Sequence, residues 1–207
     1  SKDGPLPKVD IGGNTVTGAK GAPPSYDKLY PQPRCAAVIR IGAAAAPGDV
    51  KSAVLDLRRA AVVVHRPAPT SIRILAGRNV VLIQTSDAVH LEAIAAGTLP
   101  AATTGNKGDI AWLHQKLPGD DNGDWGGMEY AMAVAGKGDV KAVSLVSSYD
   151  VRTGGVLDAA VALAADALAA KQSELIAAHE KAWQEFWSAS GIELADTLMQ
   201  RWWYRMM

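Results

Sequence analysis

The chain has 207 residues, 48% of them hydrophobic, with 21 basic and 21 acidic side chains and a formal charge of +0. That length suits one large domain, or one and a half small ones, and the hydrophobic share is enough for a real core. The charges are spread without a basic run, which excludes the basic face of a nucleic-acid binder, and they interrupt every apolar stretch short of the ~20 residues that a membrane span needs.

The lone Cys35 excludes an intrachain disulfide and offers no metal cluster. It follows Arg34 directly, and with apolar residues after it, it reads as a small core residue. Ser1 is not an initiator and no signal peptide follows it, so a leader directing export would be missing or already cleaved.

Residues 1–33 carry Pro5, Pro7, Pro23, Pro24, Pro31 and Pro33 and five glycines. Such a segment cannot hold a long helix and reads as an arm or loop, with short strands such as Lys8–Ile11 still open to it. From Arg34 the pattern changes. Cys35–Ile41, Val50–Leu57, Ala61–His65, Ser71–Leu75 and Val80–Thr85 are short β-branched runs divided by turn signals such as Ala46-Pro-Gly-Asp49 and Arg66-Pro-Ala-Pro69. Val89–Ala95 fits strand or helix by itself, and its neighbours favour strand. Ile110–Lys116, Gly127–Ala135 and Ala142–Ser147 complete the set. About nine short strands at this spacing predict an antiparallel β-sandwich over residues 34–152.

At Thr153-Gly-Gly155 the regime switches. Val156–Ala170 is an alanine- and leucine-rich helical run. Ser173 is positioned to cap a second helix from Leu175 to Trp187, which Ser188-Ala-Ser-Gly191 ends. Asp196 is positioned to cap a third, Thr197 to Met207. The expected division is a linker over 153–190 and the start of a further helical domain over 191–207.

Four of the six tryptophans and the only phenylalanine fall in the last 25 residues. Leu175, His179, Trp183, Phe186 and Trp187 recur at helical spacing and share one broad face. The third helix, with Leu198, Trp202, Trp203, Tyr204, Met206 and Met207, is apolar over much of its circumference. Each buried aromatic contributes on the order of 1.5–3 kcal/mol, so this helix is expected to be buried in a larger body; packing onto the sandwich or a homodimer seam are the plainer alternatives.

Few residues suggest chemistry. Asp120, Asn122 and Asp124 alternate as oxygen ligands of calcium do, but the EF-hand test fails: the sixth position is Trp125 instead of glycine and the twelfth is Ala131 instead of glutamate. A solvated turn is the plainer reading. His65, His90, His114 and His179 share no metal-ligand spacing and read as hydrogen-bonded, half-buried imidazoles. No Gly-x-Ser-x-Gly occurs, and Gly12-Gly-Asn14 and Gly136-Lys-Gly138 read as turns, not phosphate loops. No cofactor or metal is called for. Glu180 and Glu185 are most simply solvent-facing, and linear sequence does not show the carboxyl pair ~6.5–9.5 Å apart that inverting hydrolysis uses.

The order of motifs resembles inverting glycoside hydrolases and phosphorylases that join an N-terminal β-supersandwich to an (α/α)6 barrel. Leu175, His179, Trp183 and Phe186-Trp187, then Ile192-Glu-Leu194, Asp196 and an aromatic helix, look like the linker helix and the first barrel helix of that group. Val54-Leu-Asp-Leu57 followed by Ala60-Ala61 is similar to an element of α-L-fucosidase-like enzymes (glycoside hydrolase family 95). Arg78-Asn-Val-Val81, Trp125-Gly-Gly-Met-Glu-Tyr130 and Val143–Ser148 resemble later strands of the same domain. The resemblance spans roughly residues 34–207; the glycine-rich opening strands are not recognisable in 1–33, and no barrel residue beyond the first helix is present.

This resemblance implies a non-catalytic N-terminal portion of an enzyme acting on glycans such as α-L-fucosides, periplasmic or secreted, with its acid and base on barrel loops outside this chain. The implied partners are an oligosaccharide and the barrel packed on the C-terminal helices. Its candidate sugar contacts are Trp125, stacked on a pyranose face, Asp124, accepting hydroxyls, and Trp112 and His114 on the preceding strand. A stand-alone carbohydrate-binding or interaction sandwich and a glycoside phosphorylase are the alternatives.

Overall fold

The computed structural model describes residues 8–11, 14–17, 36–42, 50–94, 100–119 and 126–206. The fold is mainly β, sandwich-like and antiparallel, followed by three C-terminal helices. Its strands are β1 (Lys8–Ile11), β2 (Asn14–Thr17), β3 (Ala37–Ile41), β4 (Ser52–Asp56), β5 (Ala61–His65), β6 (Thr70–Ile74) and β7 (Val80–Gln84). They continue with β8 (Val89–Ala93), β9 (Thr103–Lys107), β10 (Ile110–Leu117), β11 (Met128–Lys137) and β12 (Val140–Ser147). The helices are α1 (Val156–Ala169), α2 (Gln172–Ser190) and α3 (Thr197–Met206). Eight strands form one sheet in the order β4-β5-β6-β7-β12-β11-β10-β9, while β1 pairs β2 and β3 pairs β8. Among the described residues no helix is long and apolar enough to cross a membrane.

The chain divides into two compact units, one of residues 1–41, 89–134 and 145–162, the other of 42–88, 135–144 and 163–207. In the first, β10 pairs β9 and β11, both antiparallel. Small and large residues alternate along Tyr130-Ala-Met-Ala-Val134, and all five are buried. One face of β11 is therefore lined with alanine and the other with bulk, because successive side chains point to opposite faces. Tyr130 donates its hydroxyl to the Ala36 carbonyl at 2.8 Å and also meets Gln115 Oε1. Gln115 in turn donates to the Pro100 carbonyl at 2.6 Å. Burial pushes the Tyr130 hydroxyl up from its ordinary value.

In the second unit, β4 to β7 form consecutive antiparallel pairs, and β12 pairs β7 through Val140–Ser144. Leu75, Val80, Leu82 and Ala142 from the sheet pack with Ala167 and Leu175 from the helices. The strands at the core are rich in valine, leucine and isoleucine because a pleated, half-buried surface suits them.

The sequence boundaries need three corrections. Thr103–Lys107 is a strand although it shows no apolar alternation; as the terminal strand it is mostly exposed and gains its hydrogen bonds from β10. Gly136 and Lys137 belong to β11, and the turn is Gly138-Asp139, with Gly138 at φ +56. Ser173 does not cap α2. The N-cap is Lys171, which makes no side-chain cap bond. Instead Gln172 donates from Nε2 to the Ala167 and Ala170 carbonyls, both at 3.1 Å, at the end of α1 where carbonyls lack helical partners.

Asp196 caps as its position predicts: its Oδ1 accepts the Leu198 amide at 2.8 Å and the Met199 amide at 3.1 Å. The Thr153-Gly-Gly155 break also stands, with Gly154 at φ +93 and α1 opening at Val156.

Candidate functional site

Of the four sequence candidates, Trp112 and His114 lie on β10, while Asp124 and Trp125 lie outside the described residues, as does Cys35. Trp112 and His114 are two residues apart on a strand and so share one face. The β10–β11 register adds Glu129 to that face, opposite Lys116. His114 Nε2 and Glu129 Oε1 are 2.9 Å apart, with side-chain exposures of 25% and 31%. The pair is therefore shielded enough to be ordered and open enough to be reached.

The Trp112 ring rests on the terminal strand at Gly105, its register partner. A Cβ at Gly105 would meet the ring at 2.5 Å, closer than any real contact, so only glycine admits the indole there. Around the group, Thr103 Oγ1 donates to the His114 carbonyl at 3.2 Å and Ser148 Oγ accepts the Glu129 amide at 3.2 Å. Lys107 pairs with Asp158 in the first turn of α1 at 2.8 Å. Trp112 Nε1, His114 Nδ1 and Glu129 Oε2 have no hydrogen-bond partner among the described residues. Sequence reasoning missed Glu129 as part of this group because its nearness depends on pairing register. The only signal was its place on the strand after the loop, 15 residues from His114.

The second arrangement, in the other unit, is built on His179. It is 2% exposed, on the apolar face of α2. Its Nδ1 accepts the Ala76 amide at 3.1 Å, and its Nε2 donates to the carbonyls of Arg59 at 3.0 Å and Ala60 at 3.2 Å. These partners assign the neutral Nε2–H tautomer, since Nδ1 must offer a lone pair to an amide. Two turns later Trp187 donates Nε1 to the Leu57 carbonyl at 2.6 Å. Both side chains hold the β4–β5 turn, in which Asp56 Oδ1 accepts the Arg59 amide at 3.1 Å and Ala60 takes φ +42. Glu180 is half-buried and reaches Arg59 at 3.9 Å, while Glu185 faces solvent beside Lys181 at 3.8 Å.

Aromatic contacts extend from there. Trp183 meets Phe186 at 5.4 Å and Trp187 at 6.0 Å between ring centroids, and Trp187 meets Tyr204 of α3 at 5.3 Å. Tyr204 donates to the Ile192 carbonyl at 3.0 Å, and Gln200 accepts the Leu194 amide at 2.8 Å, so the Ile192–Leu194 segment is fixed to α3. The opposite side of α3 presents Leu198, Met199, Trp202 and Met206, all exposed. No residue of α3 is fully buried. An open apolar depression beside α2 is lined by Ala76, Ala182, Trp183 and Phe186.

No protein-family model matches this chain, and no curated protein matches its sequence. Among the described residues no three His, Cys, Asp or Glu side chains gather so as to hold a metal ion.

Proposed function

We propose that this chain is the N-terminal β portion and linker helix of a periplasmic or secreted glycoside hydrolase similar to α-L-fucosidases. Its substrates would be glycans such as α-L-fucosides, cleaved with inversion by two carboxyl groups on a barrel that these residues do not include. One observation supports this reading above the others. The two stretches that carry the resemblance, Val54–Ala61 and Leu175–Trp187, are distant in sequence and meet through His179 and Trp187 at the Leu57–Ala60 turn. A linker helix that must hold a following domain against a β domain needs such a fixed seat.

The exposed arc of α3 is the surface that the barrel would cover, since Leu198, Met199, Trp202 and Met206 left in water would form a sticky patch. The direct test is to incubate the full-length protein with fucosylated and galactosylated oligosaccharides and follow the anomeric protons of the released sugar by NMR. Release of the inverted anomer without phosphate supports the hydrolase. Release only when phosphate is added makes the protein a phosphorylase. No release from any substrate of either kind removes the reading.

A further inference from the structure

We infer that β4 is a self-association edge: two copies of this chain pair antiparallel through Ser52–Asp56, across a two-fold axis at Val54. The occupant of the edge is a second copy of the chain, whatever reaction the whole protein carries out.

The eight-stranded sheet has two terminal strands, β4 and β9. A terminal strand offers a row of main-chain groups to any extended segment, and proteins blunt such edges with charge, proline or bulges. The two strands differ in this respect. β9 is Thr-Thr-Gly-Asn-Lys, polar throughout, and its Lys107 is paired with Asp158. β4 is Ser-Ala-Val-Leu-Asp, with no lysine or proline inside it. Val54 is 49% exposed and Leu55 61%.

The outer face beside this edge is apolar as well. Leu55, Val62 and Ile72 stand in one row across β4, β5 and β6. The adjacent row, Asp56, Ala61, Arg73 and Leu82, points toward the core of Leu75, Val80 and Leu82. Successive side chains alternate, so the Leu55 row points away from that core. A solvated face of an antiparallel sheet is ordinarily polar. Here it is not, and Ile74 on the same face is 70% exposed.

Register selects a second copy as the occupant. A two-fold axis through an antiparallel pair sets residues of one face opposite each other, so the pairing is centred on a single residue. Centred on Val54, it sets Val54 against the partner's Val54, Ala53 against the partner's Leu55, and Ser52 against the partner's Asp56. Small meets large, and a hydroxyl meets a carboxylate. Asp56 Oδ1 already accepts the Arg59 amide at 3.1 Å, while Oδ2 is 4.0 Å from Arg59 Nε and remains for the hydroxyl. Centred on Ala53, the pairing would set Val54 on the partner's Ser52 and Leu55 on the partner's Lys51. Centred on Leu55, it would set Val54 on the partner's Asp56. Of the three registers, the one at Val54 joins compatible side chains throughout. The formal charge of +0 adds no net repulsion between copies.

The test is sedimentation equilibrium of the intact protein, which should approach twice the monomer mass as concentration rises. Leu55→Lys brings an ammonium group diagonal to the partner's Lys51 and to its own symmetry mate, and should weaken association at least ten-fold. Trp202→Lys, on the exposed arc of α3, should leave association unchanged. In a Cys35→Ser background, Val54→Cys should form an intersubunit disulfide on oxidation, because Cβ atoms directly opposite lie about 4.5 Å apart. Ala53→Cys, whose symmetry mate is diagonal at about 7 Å, should not. Circular dichroism checks that each variant folds; if Leu55→Lys does not, the Val54→Cys link decides. Four results would each overturn the inference: a monomer at every concentration, a dimer that folded Leu55→Lys leaves intact, a dimer lost with Trp202→Lys, or failure of Val54→Cys to link.

Discussion

His179 and Ala60 stand 119 residues apart in the chain, and the imidazole of one donates to the carbonyl of the other at 3.2 Å. The same ring accepts the Ala76 amide at 3.1 Å, so one side chain ties α2 to two β-turns through main-chain groups alone. Backbone partners make this seat indifferent to the side chains of the turns, but not to loss of the imidazole.

His179→Ala should therefore be costly. It leaves a cavity in a 2%-exposed position and strips partners from a buried amide and two carbonyls. The expected loss is about 2–4 kcal/mol, from the unsatisfied groups and the cavity together. Urea denaturation at neutral pH should show the midpoint falling with the slope unchanged.

Trp187→Phe should be milder. The aromatic packing against Tyr204 is largely kept, and only the bond to the Leu57 carbonyl is lost. About 1 kcal/mol is the expected cost, read from the same denaturation curves. A double variant with His179→Ala should lose less than the two single costs added, because both side chains hold one turn.

Gly105→Ala should disturb the Trp112 platform. With a Cβ 2.5 Å from the ring, the indole has to leave its seat. Overpacking of this kind costs about 1–3 kcal/mol. A change in near-ultraviolet circular dichroism with the far-ultraviolet spectrum intact would mark ring displacement without unfolding.

Tyr130 sets an alkaline limit on stability. Burial raises the pKa of its hydroxyl in the folded state above its unfolded value near 10. Its contribution is thus fully present below the unfolded value and is lost as pH rises through the raised folded one. Denaturation midpoints should hold up to about pH 10 and fall as pH rises beyond it, and Tyr130→Phe should flatten that fall while costing about 1 kcal/mol at neutral pH through the lost bond to Ala36.

Asp196→Ala should fray α3 from its start. The carboxylate serves both the Leu198 and Met199 amides, and such caps are worth about 1 kcal/mol. Amide exchange should quicken at these two positions first, with β10 and β11 unaffected.

Local chemistry made much of the fold legible. The β-branched runs from Ala37 to Ser147, the glycine pair before Val156, the alanine-rich run of α1 and the Asp196 cap each act within a few residues. A window of sequence contains everything they depend on. Where the rule involved competition between neighbours, sequence misled: Ser173 has the chemistry of a cap, but Lys171 occupies that position and Gln172 bonds back to α1.

The chain by itself determined that it is mainly β with a helical end, that its charges are balanced, and that its aromatic residues gather at the C-terminus. Tertiary structure alone decided which distant groups meet. Thr103–Lys107 is a strand because β10 offers it a hydrogen-bonding edge, a fact about a neighbour and not about its own polar residues. Glu129 joins His114 because the β10–β11 register brings them to one face, and a shift of one residue would send them to opposite sides. His179 becomes a buried clamp instead of one more apolar-face residue because two turns present their main-chain groups to its two nitrogens. Propensity is local and can be read along the chain; register and hydrogen-bond partnership are properties of pairs, fixed only when the packed fold brings the members of each pair together.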